Sequence, residues 1–276
     1  MRALALGLLP LLLLPACRDG AGNDGRLSVV AALFPVAEVA RAVGGGDVQV
    51  HDLTPVDAEP HDFEPGPGDV DRIEDADVVL YLGGGFQPAV ERAADRSDAR
   101  PVDLLEGDDP HVWLDPVLMR RLAADVADAF ADVDPDNADA YRRRAGTFAA
   151  DLAALDAEYA DALRACDRRV IVTTHGAFVR LADRYDLRQE ALTGTAPEAE
   201  PDPRRVAELL DLIRREGVTT VFTEGTDDTP AAESLAREAG VRTAVLRTLE
   251  QPVDGGYTKG MRDNLAVLTE ALGCRR

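Results

Sequence analysis

DPDNADAYRRRAGTFAADLAALDAEYADALRAC, residues 134–166, is the longest uninterrupted helical pattern in the chain, and it divides the remaining sequence in two. Tyr141, Ala145, Phe148, Leu152, Leu155, Tyr159 and Leu163 recur every three or four positions, which lines one face of a helix with apolar side chains. Asp134 followed by Pro135 reads as an N-cap with proline in the first turn, and only Gly146 weakens the interior. At about 1.5 Å per residue such a helix is roughly 48 Å long, more than the width of a small domain. It is therefore expected to tie two lobes together.

On both sides of this segment, β-type runs alternate with helical ones. Before it, 27–33, 48–53, 78–82 and the weaker 101–105 read as strands, with helices at 35–43, 69–75, 87–94 and 116–131. After it come strands at 169–174, 218–223, 241–247 and a short 190–193, with helices at 177–185, 203–216, 230–239 and 258–272. Strand, helix, strand in repeated order implies right-handed crossovers and parallel pairing. The expected fold class is α/β, with two lobes of mainly parallel sheet (27–133 and 167–276) joined by one long rigid helix (134–166). The pattern EPxPxxV occurs twice, at Glu64–Val70 and Glu200–Val206, each time ahead of a helix and then a strand. A duplicated unit would leave that echo.

The chain opens with Arg2 and a leucine-rich apolar run to Ala16, followed by Cys17 in the setting Leu14-Pro15-Ala16-Cys17. The run is short for a membrane span and has the form of a secretory signal. It looks like a bacterial lipoprotein signal, in which residues 1–16 are removed and Cys17 becomes the lipidated first residue. Residues 17–26 then form a polar, glycine-containing tether that holds the protein at the outer face of the membrane. The net charge is −21, which repels nucleic acid and anionic lipid surfaces and raises the local concentration of cations. Cys166 and Cys274 remain in an oxidising compartment, either as a disulfide or as two buried thiols.

Four histidines occur, so each can be weighed alone. His51 alternates with apolar neighbours inside a strand and reads as structural. His61 lies just beyond the strand 48–53, His111 beyond 101–105, and His175 directly ends 169–174. Ligands of parallel sheets bind beyond the carboxyl ends of strands, so these three rings point toward one kind of crevice, two from the first lobe and one from the second. Three neutral imidazoles suit zinc, held at about 2.0–2.1 Å in a tetrahedron with one further donor. Asp62, Asp109 and Asp115 are candidate acceptors for the free ring N–H groups, while Asp115 and Asp69 serve equally well as helix starts. Gly83-Gly84-Gly85-Phe86 lacks the lysine and spacing of a phosphate loop and reads as a tight turn. No HExxH, GxSxG or CxxC motif is present.

Together, EPHDFEP at 59–65, DPHVWLDP at 109–116, THGAF at 174–178 and PEAEPDP at 197–203 make the chain resemble the metal-specific solute-binding lipoproteins of ABC importers, in particular their zinc-binding branch. The resemblance runs from about Leu27 to the C-terminus. It implies two α/β lobes with metal held between them, His61, His111 and His175 as ligands, and a membrane permease as partner. Manganese-binding relatives carry a carboxylate where His175 stands, so the resemblance favours zinc. Two departures stand out. Only 49 residues, none of them histidine, separate His61 from His111, where zinc-specific relatives often carry a long histidine-rich loop. Arg247 stands where many relatives place an aspartate, which leaves the fourth donor open among water, Glu224 and Glu250.

The reading is an extracytoplasmic, membrane-tethered, monomeric Zn2+ receptor that is not an enzyme. Its affinity is expected to fall as pH drops through the histidine range. The rivals are a manganese receptor of the same family, a zinc hydrolase with Glu224 as general base, and a metal-stabilised adhesin.

Overall fold

The computed structural model describes residues 25–56, 58–194, 200–224 and 229–275. Residues 1–16, Cys17 and the tether up to residue 24 lie outside these, as does Pro197–Ala199 of the fourth motif. In chain order the elements are β1 (Leu27–Ala31), α1 (Phe34–Gly44), β2 (Val48–Asp52), α2 (Pro67–Glu74), β3 (Val78–Tyr81), α3 (Pro88–Ala94), β4 (Arg100–Asp103), α4 (Pro116–Val133) and α5 (Ala138–Leu163). They continue with β5 (Val170–Thr173), α6 (Val179–Arg184), β6 (Arg188–Ala191), α7 (Pro203–Glu216), β7 (Thr220–Thr223), α8 (Thr229–Ala239), β8 (Arg242–Val245) and α9 (Gly256–Leu272). No helix among the described residues is long and apolar enough to cross a membrane.

The strands form two four-stranded sheets of the same topology, β2-β1-β3-β4 and β6-β5-β7-β8, and every pairing is parallel. The repeated EPxPxxV segments lead into α2 and α7, which occupy the same place in the two lobes, each ahead of the third strand in chain order. Proline is the first residue of α2, α3, α4 and α7, where its missing N–H would have had no partner in any case. The sequence places β6 two residues too late. It is a polar edge strand whose position follows from the register Val170↔Arg188 and not from an apolar run.

The long helix begins later than its sequence suggests. Pro135–Asn137 form a 3-10 turn, and α5 has 26 residues from Ala138 to Leu163. Asp134 does not cap it. The Tyr141 hydroxyl donates to Asp134 Oδ2 at 2.6 Å and Asn137 Nδ2 donates to the same oxygen at 2.8 Å, so the carboxylate fastens the turn and not the helix start. Of the expected stripe, Tyr141, Ala145, Leu152, Leu155, Tyr159 and Leu163 are buried, while Phe148 is half-buried.

This stripe is what joins the halves. Arg144 Nε donates to Val43 O of α1 at 2.7 Å, whereas Tyr159 donates to Met261 O of α9 at 2.6 Å and stacks on Tyr185 with ring centroids 5.0 Å apart. One continuous apolar core runs from Val29, Val79 and Leu80 of the first sheet through α5 to Ile171, Phe178 and Phe222 of the second. A smaller core under α7 and α8 covers the remaining side of the second sheet. The last helix reaches back to the first lobe, where Tyr257 N–H donates to Glu38 of α1.

Cys166 and Cys274 are joined in a disulfide that ties the segment after α5 to the end of α9, across a sequence separation of 108. Closing so long a loop in the unfolded chain restricts it strongly. The double variant Cys166→Ser/Cys274→Ser is expected to lose about 2–4 kcal/mol of stability in chemical denaturation, and alkylation without reductant should label neither cysteine of the native protein.

Asp52, at the end of β2, has a buried Oδ1 without a hydrogen-bond partner, and burial pushes its carboxyl up to about 6 against the pull of Arg41. A folded-state pKa above the unfolded one means that its contribution is fully present below about 3.8 and is lost as pH rises through about 6. Asp52→Asn should therefore stabilise the protein by about 1–2 kcal/mol more at pH 7 than at pH 4. An equal effect at both pH values would exclude this origin.

Candidate metal centre

Each donor-bearing loop leaves the carboxyl end of a strand. After β2, the turn Pro60–Asp62 carries His61, whose backbone N–H donates to Glu59. Behind it Gln87, fully buried, donates from Nε2 to Pro60 O at 3.0 Å and to Thr54 Oγ1 at 3.1 Å, fixing the loop from within. Gly83–Phe86 is a turn, with φ of 71° at Gly84 and 84° at Gly85, conformations that glycine adopts without strain. Gly83 N–H donates to Asp103, whose carboxylate also fills the space where a side chain at Gly83 would sit. The turn delivers Phe86 edge-on to the His61 ring, centroids 4.5 Å apart.

After β4, Asp109 Oδ1 accepts from both the backbone N–H of His111, at 3.0 Å, and its Nδ1, at 2.9 Å. After β5, His175 Nδ1 lies 2.6 Å from Glu224 Oε1 at the end of β7, and the same oxygen accepts from Thr174 Oγ1 and from the His175 N–H. Proton on Nδ1, held by a carboxylate, leaves the Nε2 lone pair of His111 and His175 free to point elsewhere. Beyond β8 the segment 246–250 brings in Glu250, only 6% exposed, with Oε2 accepting from Thr248 Oγ1 at 2.8 Å.

His61 Nε2, His111 Nε2, His175 Nε2 and Glu250 Oε1 meet within 4.8 Å of one another. All four are buried and lack a hydrogen-bond partner. Glu250 Oε1 stands 3.4 Å from the Nε2 atoms of both His61 and His111. Donors at about 2.0–2.1 Å from a tetrahedral ion are about 3.3 Å apart, so these two separations already match a tetrahedron edge. Burial disfavours the His111 cation, but the hydrogen-bonded Asp109 and the facing Glu250 override it and push the ring up to about 9. Burial likewise works against the Glu250 anion, yet the His111 and His61 rings hold it well below the usual carboxylate range. Glu250 and the facing His111 ring thus stabilise each other's charged forms, and a divalent cation would compete with the proton for the ring nitrogens.

The structure brings His61, His111 and His175 together and leaves His51 in β2, opposite Val30. Of the two acidic candidates for the fourth donor, Glu250 faces the centre, while Glu224 is engaged on the far nitrogen of His175. Asp109 accepts a ring N–H as expected. Asp115 does not, since it caps α4 by accepting from Val117 N–H at 2.7 Å, and Asp62 is exposed. Arg247, which the resemblance sets against many relatives' aspartate, is exposed and is held here by its backbone, its N–H and C=O paired with the Asn264 side chain. Gln87 and Phe86 escaped sequence reading, because a glutamine and a phenylalanine after a glycine turn carry no metal-binding signature.

Residues 29–271 match the family described as zinc-uptake complex component A, periplasmic. The zinc-binding lipoprotein AdcA of Streptococcus pneumoniae serotype 4 is 32% identical over 97% of this chain, which spans 60% of that protein's length. The high-affinity zinc uptake system protein ZnuA of Bacillus subtilis is 30% identical, with 95% of this chain and 94% of that protein covered. The solved structure of the laminin-binding protein Lmb of Streptococcus agalactiae, described as having adhesin and metal transporting activity, superposes with a TM-score of 0.84 at 30% identity over 89% of this chain and 99% of its own. The chain belongs to the family of the periplasmic zinc-uptake component A, made up of zinc-specific solute-binding proteins and not of enzymes.

Proposed function

We propose that the chain is an extracytoplasmic receptor that captures one Zn2+ between two lobes, 27–133 and 167–276, on either side of the linking segment 134–166. The ion is held by Nε2 of His61, His111 and His175 and by the Glu250 carboxylate, and is delivered to the membrane permease of an ABC importer. Residues 1–16 are removed on export, Cys17 carries the lipid that anchors the protein to the membrane, and 17–26 form the tether to a monomeric receptor. The observation that carries this reading is the group of four buried, partnerless donor atoms converging from four strand ends.

The donor set supports zinc over the manganese and hydrolase rivals. Manganese and magnesium favour six mostly oxygen donors, whereas three imidazoles and one carboxylate make a four-coordinate site suited to zinc. A catalytic zinc keeps one position for water, and here Glu250 fills the fourth. Glu224 and Asp109 orient two of the rings, as carboxylates behind zinc-bound histidines do. Metal exchange runs past His61, whose side chain is 15% exposed against 0% for His111 and 1% for His175. The continuous core through α5 opposes wide hinge opening, so release proceeds by movement of the loops around His61 and His111.

Equilibrium competition with a zinc chelator, on the soluble form starting after Cys17, should give one zinc per chain. His61→Ala, His111→Ala, His175→Ala and Glu250→Ala should each weaken binding by more than about 100-fold, beyond the loss typical of an outer-shell partner. Retention of tight binding in any two of the four would sink the site.

Glu224→Gln is expected to keep the stoichiometry but lose about 10–100-fold in affinity, since an amide holds the His175 tautomer less firmly. Affinity equal to the wild type would show that the His175–Glu224 contact is incidental.

A further inference from the structure

Arg180 lies on α6, five residues after His175, yet its guanidinium reaches the loop of the other lobe that leads to His111. Nη2 donates to Glu106 O at 2.7 Å and to Asp109 O at 3.3 Å. Nε stands 3.6 Å from Asp109 Oδ2. Both of these last atoms are buried and have no hydrogen-bond partner, so they face each other as an ion pair whose facing atoms are closed off from solvent. The loop passes so close that a side chain at Gly107, where φ is +80°, would come within 2.9 Å of Nη2.

The two oxygens of Asp109 thus have separate duties. Oδ1 holds the His111 ring and backbone, and Oδ2 answers to a cation from the opposite lobe. His111 and His175 are brought to one point by elements of different sheets, and Arg180 is the side chain that fastens the Asp109 carboxylate across the division between them. A planar fork bonded to two carbonyls and facing a carboxylate fixes orientation in a way that a point charge does not.

We propose that Arg180 is a positioning residue for zinc retention: by clamping the loop 106–109 to the second lobe it keeps Asp109, and through it His111, in the geometry that holds the ion. This role rests on the zinc-receptor reading above and adds to it an interlobe strap that slows release. Arg180 touches no donor atom, so its removal should change the rate of release and the ligand field without changing the number of ions bound.

The test uses the soluble protein starting after Cys17, as wild type, Arg180→Gln and Arg180→Lys. Zinc is loaded to equivalence and its release to an excess of chelator is followed by stopped flow, and the visible absorption of the Co2+-loaded forms is recorded in parallel. Arg180→Gln should bind one zinc, release it about tenfold faster or more, and shift the Co2+ bands. Arg180→Lys should fall between it and the wild type. The side chain is 26% exposed on a helix surface, and melting of the metal-free variants near the wild-type temperature would show the fold to be intact. Release by Arg180→Gln within about twofold of wild type with unshifted Co2+ bands, or fast release that Arg180→Lys does not slow, would overturn the role. A wild-type protein that binds no zinc would overturn the receptor reading and this inference together, whereas normal wild-type binding with an indifferent Arg180→Gln would remove this inference alone.

Discussion

The rest of the structure depends on gathering four buried polar atoms at one point without a hydrogen bond to any of them. Three imidazole nitrogens and one carboxylate oxygen converge within 4.8 Å, each shut away from water and without a hydrogen bond. Leaving such groups unpaired costs roughly 1–3 kcal/mol apiece, more for a charged one. A fold does not assemble that arrangement by accident of packing; the surrounding contacts have to hold it open. The carboxylates behind His111 and His175 and the glutamine behind the His61 loop fix the donors from the rear, so that the front of each has a single direction in which to find a partner.

Holding four loops to one point requires two sheets that do not drift. A hinge of flexible strands would let the lobes separate and the donors with them. Here α5 buries one side chain after another against both halves, and the apolar core passes through it without a break. The C-terminal helix strengthens the link by donating from Tyr257 to Glu38 of α1 and from its hydroxyl to the carbonyl of Trp113, next to the His111 turn. Trp113 in turn donates from its indole nitrogen to Thr248 O at 2.7 Å, two residues before Glu250. First-lobe and second-lobe donor loops are therefore bonded directly to each other, which makes their mutual position a property of the packed interior and not of ligand binding alone.

Much of this was legible in the sequence because it depends on periodicity and on strand ends. The alternation of strand and helix on both sides of 134–166 dictates two parallel sheets, and the recurrence of EPxPxxV falls at matching places in them. His61, His111 and His175 could be singled out because rings beyond the carboxyl ends of parallel strands share one rim. The structure adds what depends on three-dimensional packing. Asp134 looks like a helix cap until the Tyr141 hydroxyl is seen to claim its carboxylate. Asp115 could cap or accept from a histidine, and only the distance to Val117 N–H decides. β6 is polar, so its ends are set by pairing with β5 and leave no apolar pattern to read.

The choice between Glu224 and Glu250 shows why a strand-end rule stops short. Both follow strands of the second sheet, β7 and β8, and spacing treats them alike. Glu224 is reached immediately after its strand, where His175 from the adjacent β5 already presents Nδ1 to it. Glu250 follows five residues after β8, and its approach needs a backbone reversal at Leu249, whose φ of +59° is unusual for a residue with a side chain. Such a conformation costs of order 1–3 kcal/mol and persists only when neighbours over-determine it. They do so on both sides: Asn264 clamps the N–H and C=O of Arg247, Trp113 holds the carbonyl of Thr248, and Gln251 donates to Ala58 O in the His61 loop at 2.6 Å. The chain thus uses a five-residue segment beyond β8, a leucine in the left-handed region and the length of a glutamate side chain to bring its carboxylate beside the three imidazoles.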